Sequence, residues 1–398
     1  MAYQEVTKTT YGGRLKNAFG GVLVGFLLLI AGTILLFWNE GRTVKTTRML
    51  REAGKACVEL GDISAVNPDM NGKMVHASGL ATTDDIISDG QFGLSANAIK
   101  LIRSAEYFQW VESSHSETRD KIGGGQETVT TYEYSKEWVR SPQNSSSFRD
   151  PKYQGIPNDV LLRVEDKVWT AQNVRFGAYR FPEGLVSQMN RSEPYTVNLE
   201  PEVVDGFEAQ FRKEGDAASV SYVHQDGNVI YLGANPDNLS VGDVRITYEK
   251  VIPGDVSILA VVSGDTFERF TSKNGYTLMS LVDGIKGMDE MFEGEHQSNK
   301  AIAWLIRLLG LFLIFFGFKG IFNIITALLK VLPFLGNIAN LGVGLVSGVL
   351  ALVWALVVIA IGWIAYRPVL GVILLIAAAA LIWFLVKKGK EKKALVDN

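Results

Sequence analysis

Long runs of apolar residues at the two ends of the chain enclose one long stretch in which polar and apolar residues mix. The runs cover residues 19–38, 301–318, 341–365 and 368–386, and only the second contains a charged residue, Arg307. An α-helix needs about 20 apolar residues to cross a hydrocarbon core of roughly 30 Å. The pattern therefore predicts a multi-pass α-helical membrane protein with four transmembrane helices, one N-terminal and three C-terminal.

The first run is longer than the apolar core of a cleaved secretory signal, which is about 7–15 residues. It ends in Phe37-Trp38-Asn39-Glu40, which is a poor cleavage site and a good interfacial anchor. We therefore expect residues 19–38 to be retained as a helix that follows a tail at residues 1–18.

Residues 319–340 between the second and third runs have an amphipathic pattern. Polar residues recur four, three and four positions apart, at Lys319, Asn323, Thr326 and Lys330. Apolar residues occupy the opposite helical face, and Pro333 is expected to end the helix. The pattern predicts an interfacial amphipathic helix and loop, with the lysines near lipid headgroups. The alternative is that this helix only extends the second span.

Residues 39–300 form the long mixed stretch, and much of it has the pattern of short strands. Runs with strand-like composition occur at 74–80, 107–111 and 129–139, with turn residues between them. The glycine-rich run Lys121-Ile122-Gly123-Gly124-Gly125 lies between the last two and predicts the tip of a hairpin.

Helical patterns in the same stretch predict a mixed architecture. Short helices are predicted at 160–168 and 184–190. The fold class expected for residues 39–300 is therefore an inserted α+β domain. A slight likeness between residues 71–76 and 226–231 suggests that it contains two similar sub-halves.

The lysines and arginines near the span ends predict the orientation, because cytoplasmic segments are enriched in them. Both the N-terminal tail and the tail at 387–398 are basic, and four spans put them on one side. Lys319 and Lys330 fall on the same side, whereas Arg42, Lys45 and Arg48 argue for the opposite orientation. The balance predicts cytoplasmic tails and an extracytoplasmic domain, periplasmic or lumenal.

Charge is distributed unevenly along the chain. Of the net charge of −3, residues 1–38 contribute +2 and residues 301–398 contribute +7, which leaves −12 on residues 39–300. An acidic domain is unsuited to binding nucleic acid through its phosphates. Cys57 is the only cysteine, so the chain has no intramolecular disulfide, and its apolar neighbours favour a buried, inert thiol.

No pattern of catalytic, cofactor-binding or metal-ligating residues stands out. The four histidines are scattered and lack the spacing of metal ligands. Gly123-Gly124-Gly125 is not followed by Lys-Ser/Thr, which makes it a turn rather than a phosphate-binding loop. We therefore expect no cofactor and lean against enzymatic activity.

Charged residues within or beside the spans are candidates for function, because burying a charge in lipid is costly. Arg307 lies inside the second span, about a third of the way in, and its side chain can reach an interface. Arg367, Lys319 and Lys330 are predicted to be interfacial. A single intramembrane charge does not make an ion path, so the pattern argues against a transporter.

Small residues four positions apart permit close approach of two membrane helices. Gly21 and Gly25 form such a pair in the first span, and Gly344 and Gly348 form one in the third. Either pair is suited to packing helices within one chain or to joining two chains.

Several short strings, taken in order, resemble the LUMA family (transmembrane protein 43). They include Asn39-Glu40-Gly41-Arg42, Tyr107 to Glu112, Tyr134 to Trp138, Val241 to Ile246 and Tyr366-Arg367-Pro368. The residues in them that we single out are Asn39, Glu40, Gly41, Arg42, Gln109, Trp110, Trp138, Gly242, Asp243, Arg245, Tyr366 and Pro368. Together with the one-plus-three arrangement of spans, the strings cover nearly the whole chain.

The resemblance implies four spans and a large domain in the lumen, or in the periplasm of a bacterium. It also implies self-association and a role as a membrane organiser, with eukaryotic members in the endoplasmic reticulum and inner nuclear membrane. This chain has Tyr153-Gln154-Gly155-Ile156-Pro157 where those members carry a His-x-Asn-Pro string. A bacterial inner membrane is the setting that we favour.

Two functions from different classes are consistent with these features. The first is a membrane scaffold that forms homo-oligomers in the lipid bilayer and recruits other membrane proteins through its extracytoplasmic domain. The second is a membrane-associated enzyme or sensor that acts on lipid or envelope components, with Arg307 and the acidic patch around Glu290 and Glu293 close to the bilayer. Nucleic acid is not an expected partner.

Overall fold

The chain divides into two compact units. A computed structural model describes residues 3–214, 217, 219–330, 333–366, 373 and 376. The first unit, which we call the β unit, comprises Met1–Glu5, Ala53–Ser116 and Thr130–Phe292. The second, the helical unit, comprises Val6–Glu52, Glu117–Val129 and Glu293–Asn398.

The described helices and strands are numbered in chain order. The helices are α1 (Tyr11–Ala56), α2 (Glu183–Val186), α3 (Pro201–Phe211), α4 (Met288–Leu329) and α5 (Pro333–Tyr366). The strands are β1 (Tyr3–Thr9), β2 (Val58–Glu59), β3 (Met74–Thr83), β4 (Ile86–Asp89), β5 (Leu94–Asn97), β6 (Lys100–Asp120), β7 (Gln126–Val139), β8 (Lys167–Thr170), β9 (Val174–Phe176), β10 (Tyr179–Arg180), β11 (Ser192–Pro194), β12 (Val223–Asp226), β13 (Val229–Leu232), β14 (Val244–Val251), β15 (Gly254–Ser263), β16 (Thr266–Glu268), β17 (Phe270–Thr271), β18 (Thr277–Leu278) and β19 (Ser280–Asp283).

Three helices among the described residues are long and apolar enough to cross a membrane: Tyr11–Ala56, Met288–Leu329 and Ala339–Tyr366. They contain the first three predicted spans, which are confirmed as long apolar helices. The fourth predicted span, 368–386, lies outside the described residues apart from Ile373 and Ile376.

The predicted amphipathic segment is part of a longer helix. α4 runs without a break from Met288 to Leu329, so residues 319–329 continue the second predicted span. Pro333 begins α5, a position that proline favours because the first turn of a helix leaves its N–H groups unbonded. A continuous helix is what the alternative expects, and the interfacial position of residues 319–340 stays a prediction.

Glycines bring α1 and α4 into close contact. A Cβ atom built on Gly25 would lie 2.7 Å from the Gly317 carbonyl oxygen, and one on Gly317 would lie 2.9 Å from the Gly25 carbonyl oxygen. Gly32 and Gly310 face each other in the same way, since a Cβ on Gly32 would lie 3.0 Å from the Gly310 oxygen. Only glycine permits this backbone approach. Nearby, five buried side chains form an apolar core: Leu36, Ile314, Ala351, Ala355 and Val358.

The β unit is built from two large sheets. One runs in the order β7-β6-β14-β13-β12, and the other in the order β19-β15-β16-β10-β9-β3-β2. Side chains along β14 alternate, with Val244, Ile246 and Tyr248 fully buried and the residues between them partly exposed. This period of two is the expected pattern for a strand with one face on a core.

The expected α+β domain is mostly β. Only α2 and α3 are α-helices among the described residues from Val58 to Lys286. The prediction of a helix at 160–168 was wrong. There the Tyr107 hydroxyl donates to the Val164 carbonyl and accepts from the Val164 N–H at 3.0 Å. Both backbone groups of Val164 are therefore bonded to a side chain and not to the backbone partners that a helix would give them. The predicted helix at 184–190 is reduced to Glu183–Val186.

The predicted hairpin is confirmed and is longer than expected. β6 and β7 are consecutive in the chain and adjacent in the sheet, and the turn between them contains the glycine run. The two stretches compared as sub-halves begin β3 and β13, which belong to different sheets. The idea of two similar sub-halves stays a prediction.

Candidate functional site

A buried ion pair joins α1 to α4 in the helical unit. Glu40 is 2% exposed, and both of its carboxylate oxygens accept hydrogen bonds from Arg307. The Arg307 Nε to Glu40 Oε1 distance is 2.7 Å, and the Nη2 to Oε2 distance is 2.9 Å. A planar guanidinium matches a carboxylate in this two-point geometry, which makes the pair strong and directional.

Trp363 brings the third helix into the same group. Its indole N–H donates to Glu40 Oε2 at 2.6 Å. The Arg307 guanidinium carbon lies 5.1 Å from the centre of the Trp304 ring and 6.0 Å from that of Trp363, within the range of cation–π attraction. We call Glu40, Arg307 and Trp363 the Glu40 cluster.

Neighbouring family-string residues pack around this cluster. The Asn39 amide donates to the Ala303 carbonyl at 3.0 Å, which satisfies a polar side chain that is fully buried. A Cβ on Gly41 would lie 2.8 Å from the Tyr366 ring, so glycine is required for that ring to sit there. Arg42 Nη2 reaches Asn39 Oδ1 at 3.4 Å.

The Glu40 cluster is suited to holding helices together. A carboxylate and a guanidinium that are bonded at two points offset the cost of burying each charge. The sequence indicated that Arg307 is a charged residue inside a span, but it did not indicate that Glu40 is its partner. One signal was present: Glu40 ends the first span and Arg307 lies near the start of the second, so antiparallel helices put them at the same depth.

Gln109 and Trp110 hold a long loop in the β unit. The Gln109 side chain donates to the Asn158 carbonyl and accepts from the Gln143 N–H at 2.8 Å. Asn158 in turn accepts from the Trp110 N–H at 2.8 Å and donates to the Trp110 carbonyl at 3.1 Å. The loop segment 141–160 is therefore attached to β6 by side-chain amides.

The string that replaces His-x-Asn-Pro lies in this loop and contributes an aromatic contact. The Tyr153 ring stacks on Tyr134 with centroids 4.1 Å apart and meets the edge of Trp110 at 5.2 Å. Tyr153, the first residue of this string, therefore has a packing role.

The string Gly242-Asp243-Val244-Arg245 supports the other side of β6. Asp243 is 3% exposed, accepts from the Ser240 N–H at 2.6 Å and accepts the Tyr231 hydroxyl. Burial raises the pKa of the Asp243 carboxyl, although the bonds from Tyr231 and Ser240 act in the opposite direction. Gly242 has φ +103°, and a Cβ there would lie 2.6 Å from the Asp159 carbonyl oxygen, so the position needs glycine.

Arg245 links this string to Trp138. Its Nη2 donates to Glu106 Oε2 at 2.6 Å, and its guanidinium carbon lies 4.5 Å from the centre of the Trp138 ring. The family strings of the β unit thus contact one another across β6, β7 and β14.

A polar cavity of about 660 Å³ opens beside Gln109. Its walls carry amide, hydroxyl and backbone groups together with Asp159 and Arg163. Among the described residues, no group of three His, Cys, Asp or Glu side chains could hold a metal ion. The walls offer hydrogen bonds to a polar ligand.

The remaining predicted site residues are spread over the helical unit. Gly25 packs against α4 as described, and the Gly21 carbonyl oxygen would lie 3.0 Å from a Cβ on Gly320. In the part of the chain that the structure describes, nothing lies within 4 Å of a Cβ on Gly344, and a Cβ on Gly348 would lie 3.9 Å from the Phe315 ring. Lys319 is half-buried on α4, and Arg367 and Pro368 lie outside the described residues.

Lys330 belongs to a second charged group, which the sequence patterns did not indicate. Asp120, the last residue of β6, lies 2.8 Å from Arg14 Nη1 and 3.0 Å from Lys330 Nζ. Arg14 also donates to the Gly124 carbonyl at 3.0 Å. The hairpin tip, Glu117–Val129, is thereby attached to the first turn of α1 and the end of α4.

Comparison with known proteins gives a consistent result over almost the whole chain. The family model described as transmembrane protein 43 matches residues 107–368. Human transmembrane protein 43 is 30% identical over 388 residues, which cover 95% of this chain and 92% of the human protein. The transmembrane protein 43 homolog of Drosophila melanogaster is 27% identical over 383 residues, 93% of this chain and 95% of that protein. No solved structure matches the chain. On this evidence of strings, spans and shared length, the chain belongs to the transmembrane protein 43 family.

Proposed function

We propose that this protein is a membrane scaffold that self-associates and recruits partner proteins through its large middle domain. The observation that carries the proposal is the Glu40 cluster, in which a carboxylate, a guanidinium and an indole from three helices bond to one another. Such a group suits a rigid membrane platform, because each charge is already neutralised by a fixed partner.

The contact surfaces of the helical unit support self-association. Gly25 and Gly32 of α1 pack against α4 within the chain, whereas Gly344 has no atom within 4 Å of its Cβ position among the described residues. Leu341 and Leu345 beside it are about 70% exposed, at 71% and 67%. A small residue between exposed leucines is suited to close contact with a helix of a second copy.

The proposed location is a membrane in which both tails face the cytoplasm. Arg14 and Lys330 lie within reach of one carboxylate, so the N-terminal end and the end of α4 share one side of the helical unit. Their positive charge favours the cytoplasmic side. In a bacterium the membrane would be the inner membrane, with the middle domain, apart from the hairpin tip that Arg14 contacts, in the periplasm; in a eukaryote it would be the endoplasmic reticulum or inner nuclear membrane.

Crosslinking in intact membranes, followed by native purification and mass spectrometry, tests the scaffold proposal. We expect a defined homo-oligomer or a reproducible protein partner. Gly344→Leu should reduce the homo-oligomer, whereas Ala339→Leu, earlier on the same helix, provides a size-matched control. A chain that is recovered as a monomer without partners, before and after crosslinking, would contradict the proposal.

The enzyme or sensor alternative has less support from the positions of its acidic residues. Glu290 on α4 pairs with Lys286, which precedes the helix, and Glu293 accepts from Gln297 one helical turn away. Arg307 is bonded to Glu40.

A further inference from the structure

A small cavity in the helical unit is lined by polar side chains at the edge of the apolar belt. Its volume is about 200 Å³, and its polar lining comprises Arg14, Asn17, Gln126, Asn323, Thr326 and Lys330. We call it the Thr326 cavity. All of these side chains carry N–H or O–H donors, and two of them are cations.

The Thr326 hydroxyl is the observation that points to a ligand. Thr326 is 2% exposed, and its Oγ1 has no hydrogen-bond partner among the described residues. A buried hydroxyl without a partner costs about 1–3 kcal/mol. An acceptor atom placed in the cavity would remove that cost.

The net positive charge of the site favours an anionic ligand. Asp120 lies 2.8 Å from Arg14 and 3.0 Å from Lys330, so a single carboxylate is shared by two cations and one positive charge is left. Arg14 is 8% exposed and is held in place by the Gly124 carbonyl at 3.0 Å. A fixed guanidinium, an ammonium and several amide donors form the kind of group that binds phosphate oxygens.

The position of the cavity indicates that the anion belongs to a lipid headgroup. Arg14 precedes the first exposed apolar residue of the span, Phe19, by five positions, about 8 Å along a helix. Lys330 directly follows Leu328 and Leu329, which are 51% and 43% exposed. The cavity therefore lies at the depth of lipid headgroups, just beyond the apolar belt of α1 and α4.

We propose that the Thr326 cavity binds the phosphate group of an anionic phospholipid. Lys330 and Arg14 contribute the attraction, and the Thr326 hydroxyl donates to a phosphate oxygen. The site is independent of the proposed scaffold role, because it needs only the contacts within the helical unit and the membrane placement of α1 and α4.

Native mass spectrometry of the full-length protein in mild detergent tests the proposal. The protein is titrated with dioleoyl phosphatidylglycerol or dioleoyl phosphatidylcholine, and the retained lipid is counted. We expect one retained phosphatidylglycerol and weaker retention of phosphatidylcholine. Thr326→Val should weaken retention about tenfold and Lys330→Gln about fivefold, whereas Lys319→Gln on the same helix should change it by less than about twofold.

Two further measurements separate the outcomes. Removing an unsatisfied buried hydroxyl should leave the melting temperature of the lipid-free Thr326→Val protein unchanged or higher, so a loss of lipid cannot be attributed to misfolding. Adding inorganic phosphate identifies the source: displacement of the lipid means that the site takes phosphate in either form, and no displacement means that it takes the lipid. Equal retention of both lipids, or the same loss in Lys319→Gln as in Lys330→Gln, would overturn the proposal. The oligomeric state read in the same spectra tests the scaffold role separately.

Discussion

A carboxylate that is only 2% exposed needs a partner, and for Glu40 the partner is a guanidinium 267 residues further along the chain. The apolar run predicted that Arg307 lies in a membrane helix, and the family strings singled out Glu40. Their pairing could not be predicted, because it depends on how each helix is rotated about its own axis. The same limit applies to Thr326 and Asp120, whose roles depend on contacts between distant segments.

Removing one member of the Glu40 pair should destabilise the helical unit. Arg307→Met leaves the Glu40 carboxylate buried without its cation, which costs about 3–5 kcal/mol. Glu40→Gln together with Arg307→Met should recover much of that loss, since no unpaired charge remains. Thermal unfolding in detergent measures the change, with Lys319→Met as the control for losing a cation on α4. A fall as large in Lys319→Met would contradict this role.

Cys57 should react slowly in the folded protein. Burial, and to a lesser extent the negative charge of Glu59, raises the pKa of its thiol to about 12. The thiolate is the reactive form, and at pH 8 it would be on the order of one part in ten thousand. Alkylation at pH 8 should therefore be much faster in denaturant than in the native state. Equal rates in the two states would show that the thiol is accessible.

Asp243 predicts a pH dependence of stability. Burial raises its pKa in the folded state, so between the usual value of about 3.9 and the raised value the folded protein binds more protons than the unfolded chain. The contribution of the Asp243 carboxyl to the free energy of unfolding is therefore complete below the usual pKa and is lost as the pH rises through the raised pKa. Asp243→Asn should gain in melting temperature relative to the wild type between pH 3.5 and 7. A constant difference across that range would rule out this contribution.

At the scale of elements, the long helices were predictable and the packing of the β unit was not. Runs of apolar residues predicted α1, α4 and α5 because a membrane helix needs an uninterrupted apolar stretch. Strands were indicated by turn residues and alternation at 74–80 and 129–139. The segment 160–168 has an apolar pattern that suits either a helix or a loop. It forms a loop, in which the Val164 N–H donates to the Tyr107 hydroxyl.

The two glycine pairs should respond differently to the same substitution. A side chain on Gly25 would meet the Gly317 carbonyl at 2.7 Å, so Gly25→Leu should separate α1 from α4 and cost about 1–3 kcal/mol. Among the described residues no atom lies within 4 Å of a Cβ on Gly344, so Gly344→Leu should leave the melting temperature of the monomer unchanged. Thermal unfolding of both variants in detergent provides the comparison. An equal loss in both would mean that Gly344 packs within the chain.

At the scale of the whole molecule, the family strings and the four apolar runs predicted the membership that the comparisons establish. Within each unit the strings contact one another: Gly41 lies against Tyr366 in the helical unit. In the β unit the Phe108 N–H donates to the Asp243 carbonyl, and Arg245 lies over Trp138. A family string can indicate such a contact, because each residue in a contact restricts which side chains fit beside it. The sequence contains no comparable signal for a partner.

The attachment of the hairpin tip has a consequence for topology. The tip lies against Arg14 at the start of α1, while Arg51 lies near its other end, 37 residues or about 56 Å further along the helix. A membrane that α1 spans would therefore put the tip and Arg51 on opposite faces. This differs from the expectation that residues 39–300 all lie on one face.

Single cysteines in a Cys57→Ser background distinguish the two arrangements. Ile122 in the tip is 89% exposed, so Ile122→Cys should react with an impermeant maleimide from the cytoplasmic face, and Arg51→Cys from the opposite face. Labelling of both from one face would mean that the tip does not lie beside Arg14 in the native membrane. The predicted result would mean that the middle segment is exposed to both compartments, so that a protein on either side of the bilayer can bind part of it.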